Sequence, residues 1–497
     1  MIRTLRKLPA WIWLIIGAFA LRIINAGQES LWYDESFTAW VAKLNLGNLW
    51  TAVQGDVHPP LWYAIEWINV HLFGSSEFVL RLPSVLFGTL AVYLVYRLAI
   101  AVRFEPRTAL AAGVIAAVLP GALYYSQEAR MYSMLCCFVL LIVIAAIQHR
   151  WILFSVACIG TVYSQNLGVL YVAAIGSIVL IERLNTARYW SAANGWECAR
   201  SLILKPIAAL AVVVVAWLPW AAVMIGQMRA MSGGFWLQAL TPGGALVPLA
   251  QMTMGWRVPD AVELHVYGFA FGITVVGLIT SRKWLLSRRG LIVLAATFGM
   301  PALAALVSVF WRSIYLPRSM MPAAMALCII WAYPLMHLSI PNRRVARLLA
   351  VPVFAVGLVA HYFPSLPRAD VRDWVSMIRT DWQPGDVIYY TAVSPSILAG
   401  YYLQGLPYLL RPAASDLNQS LTESTKAAMR FTQGDLLNAK SYRRAWLVVS
   451  INPMSRRDES DEISHVLATH YASIINQFKK NEYETEQIWL VDLASWL

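Results

Sequence analysis

Residues 31–36 read Leu-Trp-Tyr-Asp-Glu-Ser and stand between the first two long apolar segments of the chain. Further along the same connection, residues 55–63 read Gly-Asp-Val-His-Pro-Pro-Leu-Trp-Tyr. The whole chain is 59% hydrophobic and only 13% charged. Acidic residues among aromatic residues beside an apolar segment are costly in such a chain, so we expect them to have a function. We therefore place the candidate chemistry in the loop formed by residues 26–78.

Apolar segments recur on both sides of this loop. A membrane-spanning helix needs about 20 mainly apolar residues, and eleven segments reach or approach that length. The 22 Trp and 22 Tyr residues fit a chain with aromatic belts at two membrane surfaces. The sequence predicts a polytopic α-helical membrane protein with eleven transmembrane helices, at 9–25, 79–101, 108–125, 131–148, 151–164, 167–182, 205–225, 262–280, 290–311, 320–338 and 345–362.

Basic residues collect in alternate connections between these segments. They are Arg3, Arg6, Lys7, Arg103, Arg107, Arg150, Arg183, Arg188, Arg200, Lys205, Arg282, Lys283, Arg288, Arg289, Arg343, Arg344 and Arg347. Lys and Arg favour the cytoplasmic side of a membrane protein. We therefore expect an integral protein of the inner or plasma membrane, with a cytoplasmic N-terminus and, after an odd number of spans, an extracytoplasmic C-terminal part.

The formal net charge of +12 follows this predicted topology. Residues 364–497 contain 13 basic and 15 acidic residues, so the positive excess belongs to the residues before them. Basic loops beside a membrane favour anionic lipid, and this distribution gives no support to a nucleic-acid partner. The five Cys residues fall in predicted spans or a predicted cytoplasmic loop, so the external tail has no disulfide. No Cys/His spacing typical of a metal site occurs.

Two long loops fall on the predicted external side. The first, 26–78, alternates aromatic with polar residues, which predicts short amphipathic helices at 35–46 and 60–74 lying at the membrane interface. The second, 226–261, is rich in Gly, Met and Trp. A long loop of this kind is typical of a mobile lid.

The composition changes after the last apolar segment, which predicts two domains. Residues 1–363 form a transmembrane catalytic domain, and residues 364–497 form an extracytoplasmic, soluble α/β domain. Short apolar runs bounded by turn residues are typical of strands in the second domain. Its predicted elements are a helix at 371–381, strands at 387–390, 445–449 and 487–491, and a helix at 461–477.

Two further polar stretches close predicted spans on the external side. Residues 125–132 read Tyr-Ser-Gln-Glu-Ala-Arg-Met-Tyr, and residues 312–318 read Arg-Ser-Ile-Tyr-Leu-Pro-Arg. With the first loop they offer acidic and basic groups to one cavity. The acids are Asp34, Glu35, Asp56 and Glu128, and the basic groups are His58, Arg130 and Arg318.

This inventory suits the transfer of a sugar from a lipid phosphate to a hydroxyl or amine. The acceptor needs a carboxylate to take its proton, and the departing phosphate needs cations. Phosphate is acidic enough to leave without a general acid, unlike the leaving group of a glycosidase. Arginine grips phosphate oxygens in a bidentate manner that lysine does not reproduce. A lipid donor also explains a site at the bilayer edge.

Four motifs occur in order: the pair Asp34-Glu35, the run Asp56-Val57-His58-Pro59-Pro60, Arg81-Leu82-Pro83-Ser84 at the second span, and residues 126–132. In this combination the chain resembles membrane glycosyltransferases of the GT-C class. It is most similar to bacterial relatives of the dolichyl-phosphate-mannose protein mannosyltransferases and of lipid A aminoarabinose transferase, the family of protein O-mannosyltransferase-like enzymes. The similarity covers residues 25–135 strongly and 312–322 moderately.

The resemblance implies roles for particular positions. Asp34 matches the first-loop acid taken as catalytic base, and Glu35 is its acidic neighbour. Asp56 and His58 match the acidic and basic positions of the later motif, where the aminoarabinose enzymes have Glu-Lys-Pro. Glu128 matches the second-loop acid, which orients the acceptor or, in some relatives, a divalent ion.

The change from Lys to His at position 58 matters for the donor site. Lysine holds a permanent charge against phosphate, whereas histidine is neutral over part of the physiological pH range. Phosphate binding then falls to Arg130 or Arg318, and Tyr132 ends the motif that carries Arg130. No metal ligands are assigned, although the resemblance leaves room for a divalent cation.

Each candidate also has a structural reading. Asp34 and Glu35 fit the first turn of an interfacial helix, where acids are favourable. The run from His58 to Pro60 fits a rigid turn before the next helix. Glu128 and Arg130 fit a local ion pair, and Arg318 fits a flanking charge that reaches the headgroups.

We interpret the sequence as an inverting glycosyltransferase. The donor would be a polyprenyl-phosphate-linked sugar, and the acceptor would be a lipid, glycan or protein on the periplasmic or external face. The alternatives are a transporter or flippase for a polyprenyl-linked glycan, an oligosaccharide ligase with a diphosphate donor, and an inactive scaffold in envelope assembly. Transporters tend to show repeats and polar breaks at mid-span, whereas here the polar motifs cluster in external loops.

Overall fold

The computed structural model describes residues 8–194, 196–230, 240–241, 244, 247–255, 257–364, 370–390, 393–410, 427, 441–451, 474–479 and 485–493. The helices of the first part are α1 (Ala10–Ile23), α2 (Tyr33–Val41), α3 (Leu46–Gln54), α4 (Pro60–Phe73), α5 (Glu77–Ala101), α6 (Pro106–Ala117), α7 (Pro120–Ser126), α8 (Tyr132–Gln148), α9 (Trp151–Ser164), α10 (Gly168–Asn194) and α11 (Trp196–Ala230). They are followed by α12 (Val247–Met254), α13 (Asp260–Thr280), α14 (Arg282–Leu285), α15 (Arg288–Leu294), α16 (Met300–Phe310), α17 (Met321–His337) and α18 (Ile340–Tyr362). The last elements are α19 (Val371–Asp381), β1 (Asp386–Tyr390), α20 (Val393–Tyr402), β2 (Tyr408–Leu410), β3 (Arg444–Ile451), β4 (Ile474–Lys479) and β5 (Thr485–Asp492).

Within the described ranges, seven helical segments are long and apolar enough to cross a membrane, and a bent pair of helices makes an eighth. The three shorter apolar helices α1, α8 and α9 coincide with three further predicted spans. The chain is therefore an integral membrane protein whose apolar segments are helical where the sequence predicts them. Eleven complete crossings remain a prediction, because three of these helices are shorter than a bilayer normally requires.

The chain divides into two compact units. Unit 1 contains residues 1–26, 58–62 and 81–366, and unit 2 contains residues 27–57, 63–80 and 367–497. The loop after α1 therefore belongs mainly to unit 2, but its short segment from His58 to Trp62 belongs to unit 1.

Helix α17 is the central helix of unit 1. In the segment Pro317–His337, 83% of the most apolar window is buried, compared with 22% for the segment Asp260–Thr280. Helix α17 packs against α6, α8 and α13. Its Ala and Cys side chains are small, which lets neighbouring helices approach closely, as is usual in membrane bundles.

Unit 2 contains a five-stranded sheet in the order β2-β1-β3-β5-β4. Strand β1 is parallel to β2 and β3, whereas β5 is antiparallel to both of its neighbours. The side chains of Val387, Tyr389, Leu447, Trp489 and Val491 form a hydrophobic core on one face. The predicted helix at 371–381 and the three predicted strands are confirmed, since each lies within an observed element of the same type.

Two of the predicted elements need correction. The interfacial helix predicted at 35–46 ends earlier, at Val41, and a separate helix α3 begins at Leu46, where the side chain of Asn45 accepts a 2.9 Å hydrogen bond from the amide of Asn48. The helix predicted at 461–477 is wrong from Ile474 onward, where β4 pairs with β5. The first part of that prediction, 461–473, and part of the loop 226–261 lie outside the described residues.

Candidate active site

A break between α6 and α7 positions the central motif of unit 1. The two helices form one apolar span with a bend of 60°. Pro120 begins α7 and has no amide hydrogen to continue the ladder of α6, so the carbonyl groups at the end of α6 lose their helical partners. The span then ends at Ser126, directly before residues 127–132.

The guanidinium of Arg22 satisfies the carbonyl groups at this break. Its Nη atoms donate to the carbonyl oxygens of Ala117 and Ala116 at 3.2 and 3.3 Å, and its Nε donates to Ser126 Oγ at 3.1 Å. Arg22 is fully buried. Non-helical backbone at membrane depth is stable only where such partners exist. Arg22 therefore fixes the end of the span that carries the motif.

Side chains from two other parts of unit 1 form hydrogen bonds to the backbone of the motif. The indole Nε1 of Trp62 donates to the carbonyl of Ala129 at 3.2 Å, and the hydroxyl of Ser84 donates to the carbonyl of Arg130 at 3.1 Å. All four of these residues are buried. The turn that presents the Arg130 side chain is consequently anchored at two consecutive carbonyl groups.

Arg130 and His58 lie in direct contact in the interior of unit 1. Nη2 of Arg130 is 3.2 Å from Nδ1 and 3.2 Å from Nε2 of His58. Arg130 is 2% exposed and His58 is 7% exposed. A guanidinium has only donors, so the imidazole nitrogen acts as the acceptor in this pair. His58 thereby orients the guanidinium, in addition to preceding the turn at Pro59 and Pro60 that opens α4.

Two tyrosines and Arg318 lie beside this motif. The guanidinium of Arg318 lies 5.8 Å from the centre of the Tyr132 ring, within cation–π range. The rings of Tyr125 and Tyr132 are 5.0 Å apart in an edge-to-face arrangement. The structure therefore brings Arg318 and Tyr125 into contact with the Tyr132 ring.

In unit 2, the acidic pair lies in the first turn of α2. A carboxylate oxygen of Glu35 accepts a 3.4 Å hydrogen bond from the amide of Trp32, and its side chain is fully buried. Glu35 thus lies in the first turn of α2, as the structural interpretation predicts, and it also caps the helix. Asp34 is half-buried in the same turn, and its carbonyl accepts a hydrogen bond from Thr38 at 2.9 Å.

The carboxylate of Asp56 is hydrogen-bonded to a buried residue of α4 in unit 2. The hydroxyl of Tyr63 donates to its carboxylate at 2.6 Å. The Tyr63 ring in turn lies 6.0 Å from the ring of Phe37, edge to face. This hydrogen bond fixes the orientation of the Asp56 carboxylate.

The sequence prediction missed Arg22 and Glu66. Arg22 stands inside an apolar segment, and a lone arginine there was a usable signal of an internal partner. Glu66 is fully buried in α4, where Asn69 donates to it at 3.1 Å. Burial raises the pKa of Glu66 well above the usual carboxyl value, and the nearby charge of Glu35 raises it further. No motif marks Glu66, so only its burial identifies it.

The predicted site residues thus fall into two groups. His58, Glu128, Arg130, Tyr132 and Arg318 belong to unit 1, where Arg130 contacts His58 and Arg318 contacts the Tyr132 ring. The acids Asp34, Glu35 and Asp56 belong to unit 2. In the part of the chain that the structure describes, no group of three or more His, Cys, Asp or Glu residues could hold a metal ion.

Comparisons with known proteins agree with this architecture. Residues 57–225 match the family model described as dolichyl-phosphate-mannose-protein mannosyltransferase. The fold is similar to that of ArnT from Cupriavidus metallidurans bound to undecaprenyl phosphate, with a TM-score of 0.60 and 16% identity over 97% of this chain and 98% of that chain. The apo structure of the same ArnT gives a TM-score of 0.60 at 15% identity, over 97% of each chain. No curated protein sequence matches the chain.

The family match includes the segment from His58 to Trp62 and the motif 127–132, which are the parts of unit 1 that meet in the structure. The fold similarity extends over nearly the whole chain. The resemblance seen in the sequence is therefore confirmed: residues 57–225 are similar to the mannosyltransferase family, and the fold is similar to that of ArnT, a membrane glycosyltransferase of the GT-C class.

Proposed function

We propose that this protein transfers a sugar from a polyprenyl-phosphate-linked donor to an acceptor on the external face of the membrane, with inversion at the sugar carbon. The observation that carries the proposal is the buried Arg130, whose guanidinium is oriented by His58 in a membrane protein of this class. The planar donors of a guanidinium match the oxygens of a phosphate in a bidentate manner.

The proposed reaction is one substitution at the anomeric carbon. An acceptor hydroxyl attacks this carbon while the bond from the carbon to the phosphate oxygen breaks, and both electrons of that bond leave with the polyprenyl phosphate. The acceptor proton passes to the carboxylate of Asp34, the general base by its position in the motif. Arg130 and Arg318 stabilise the charge that develops on the departing phosphate. Attack opposite the leaving group inverts the configuration.

The remaining site residues position these groups. His58 holds Arg130 rather than binding phosphate itself. Glu128 orients the acceptor, and Tyr132 supports the guanidinium of Arg318 through its ring. Glu35 stabilises the turn that carries Asp34, because its carboxylate caps α2.

The donor class is supported by the solved relative and by the composition of the chain. The ArnT of similar fold has been solved with undecaprenyl phosphate bound. A lipid carrier enters from the bilayer, which suits a site formed at the ends of membrane helices. The alternation of basic loops supports a cytoplasmic N-terminus and places the motif loops on the external side.

The test is transfer of labelled sugar in membranes that contain the full chain, from a panel of polyprenyl-phosphate and polyprenyl-diphosphate sugars. We compare the wild type with Asp34→Asn and Arg130→Gln, using Asp373→Asn in α19 as a matched control. Transfer from a monophosphate donor by the wild type and the control, reduced at least about 100-fold in both site variants, is the expected result.

Two results would contradict the proposal. Transfer from the diphosphate donors alone would favour the oligosaccharide ligase. Donor binding without any transfer, in a wild-type protein that elutes as a single folded species, would favour a carrier that performs no chemistry.

A further inference from the structure

A cavity lies in unit 1, away from the motif 127–132. Its volume is about 650 Å³, and its wall includes Arg103, Arg288, Arg289, Phe104 and Trp284. None of these residues takes part in the proposed transfer. The cavity therefore requires an explanation of its own.

Two helices show how far this cavity is from the candidate active site. Helix α8 begins at Tyr132 and is followed at its other end by His149, which lines the cavity. Helix α17 follows Arg318 and ends at His337, which also lines the cavity. Each of these two helices has 17 residues and is therefore about 25 Å long. This length separates the cavity from the candidate active site. The cavity lies at the opposite end of the bundle, where the sequence places its basic loops.

The charges around the cavity do not balance. The guanidinium groups of Arg103, Arg288 and Arg289 lie on the wall, and like-charge repulsion from the other two acts on Arg289. Glu105 is the single acid on the wall. Behind the wall, Glu182 forms an ion pair with Arg288 at 2.7 Å and a longer one with Arg183. Four guanidinium groups thus face two carboxylates, which leaves an excess of two positive charges.

Of these four arginines, Arg103 and Arg289 are the two whose guanidinium groups are not in an ion pair with Glu182. Within the described residues, neither has an ion-pair or side-chain hydrogen-bond partner. Repulsion between cations that remain close together is relieved by an anion that bridges them. A phosphomonoester carries up to two negative charges and accepts bidentate hydrogen bonds from arginine, so it matches this excess.

The rest of the wall is aromatic and aliphatic. The Phe104 ring lies 4.9 Å from Trp284 and 5.7 Å from Tyr333, and Tyr333 stacks on His337 at 4.5 Å. Aromatic rings beside basic groups are typical of the level at which lipid headgroups meet acyl chains. This wall would accommodate the apolar part of a lipid next to its phosphate.

We infer that this cavity is a binding site for the phosphate headgroup of a lipid, held between Arg103 and Arg289 at the end of the bundle opposite the transfer site. Basic pockets between membrane helices recognise anionic headgroups in this way. The inference is independent of the transfer reaction, since it uses none of the residues assigned to it.

The experiment measures lipid binding to the purified full chain by native mass spectrometry. The probes are phosphatidic acid, which is a lipid phosphomonoester, phosphatidylcholine, which is zwitterionic, and glycerol 3-phosphate, which lacks acyl chains. The wall variant combines Arg103→Gln with Arg289→Gln. The matched control combines Arg282→Gln with Lys283→Gln, which removes the same charge from exposed residues that do not line the cavity.

We expect the wall variant to bind phosphatidic acid at least about tenfold more weakly and the control to bind it as the wild type does. The wall variant should show the same loss of phosphatidic acid binding when Arg130→Gln is also present. This result would show that the lipid binds at the cavity and not at the transfer site. Equal weakening in wall variant and control would overturn the inference, because it would indicate diffuse charge attraction. Tight binding of glycerol 3-phosphate that blocks phosphatidic acid would also overturn it, because the ligand would then be a soluble phosphate.

Discussion

Nη2 of Arg130 lies 3.2 Å from each ring nitrogen of His58 in the interior of unit 1. The resemblance implies a lysine at this position in the aminoarabinose enzymes, and the contact gives the histidine of this chain a different role. A lysine ammonium would place a second permanent cation against the guanidinium, whereas a neutral imidazole accepts its hydrogen bond. In the proposed site, Arg130 supplies the phosphate-binding charge and His58 determines the direction of its guanidinium.

The first prediction concerns Arg130. Arg130→Lys keeps the positive charge but loses the planar donors, so we expect sugar transfer to fall by about 10²-fold, almost as far as in Arg130→Gln. The measurement is the initial rate of transfer at saturating donor. Full activity of Arg130→Lys would show that the site needs only a charge.

The second prediction separates the role of His58 from that of a cation. His58→Gln retains an acceptor for Arg130 and should keep most of the transfer rate, whereas His58→Lys should reduce it by at least about tenfold because two cations then face each other. The substitution His71→Gln, on the exposed part of α4, serves as the control. If His58→Lys were as active as the wild type, His58 would not act by accepting from Arg130.

The third prediction concerns the break in the span of α6 and α7. Arg22→Met removes the donors that satisfy the carbonyl groups of Ala116 and Ala117. Each buried carbonyl left without a partner costs about 1–3 kcal/mol, so we expect a lower thermal midpoint and a loss of transfer. Arg107→Met, an exposed arginine at the start of α6, should leave both unchanged. Equal midpoints for Arg22→Met and the wild type would show that the bend is stable without this contact.

These residues also show what the sequence predicts well. Apolar length identified the helices, and short apolar runs bounded by turn residues identified β1, β3 and β5, because both signals are local. The motif residues His58, Glu128 and Arg130 were identified by chemistry and by resemblance. The contact between His58 and Arg130 was not predicted, since it depends on the return of a distant segment to the motif.

The missed residues share a physical cause. Arg22 and Glu66 act through burial, which depends on the packing of several elements and leaves no fixed spacing in the sequence. The boundary between α2 and α3 was missed for a different reason, because the cap at Asn45 competes with a continuous apolar pattern. Helix capping by one side chain is a weaker sequence signal than the length of an apolar segment.

The fourth prediction follows from the buried carboxyl of Glu66. Its pKa is raised, first by burial and then by the charge of Glu35, so the folded protein binds a proton more tightly than the unfolded chain. The stability that this proton provides is full below the usual carboxyl pKa and is lost as the pH rises through the raised value. Glu66→Gln keeps a partner for Asn69 and should raise the thermal midpoint at pH 8 by about 2–4 °C.

The control for Glu66 is Glu77→Gln. Glu77 accepts a hydrogen bond from Tyr402 at 3.0 Å and lies 3.7 Å from Arg372, so its neutralisation should lower the thermal midpoint. The pH dependence of the Glu66→Gln protein should also be flatter than that of the wild type between pH 5 and pH 8. A lower midpoint for Glu66→Gln at pH 8 would contradict the raised pKa.

The fifth prediction concerns Asp386, which pairs across β1 and β3 with Arg444. Its carboxylate accepts hydrogen bonds from Arg444 at 2.8 and 2.7 Å and from the indole of Trp446 at 3.0 Å, and it is 1% exposed. Burial by itself raises the pKa of Asp386, but these hydrogen bonds and that from the amide of Gln383 outweigh it and lower the pKa.

Because the pKa of Asp386 is lowered, its stabilisation is present above the usual carboxyl pKa and is lost as the pH falls through the lowered value. Asp386→Asn removes the negative charge that pairs with the Arg444 guanidinium and should cost about 3 kcal/mol. Hydrogen exchange of the amides in β1 and β3 measures this loss locally, and we expect faster exchange in the variant at pH 7 and a smaller difference in acid. Exchange at the wild-type rate in Asp386→Asn would show that the parallel pairing of β1 with β3 does not depend on this ion pair.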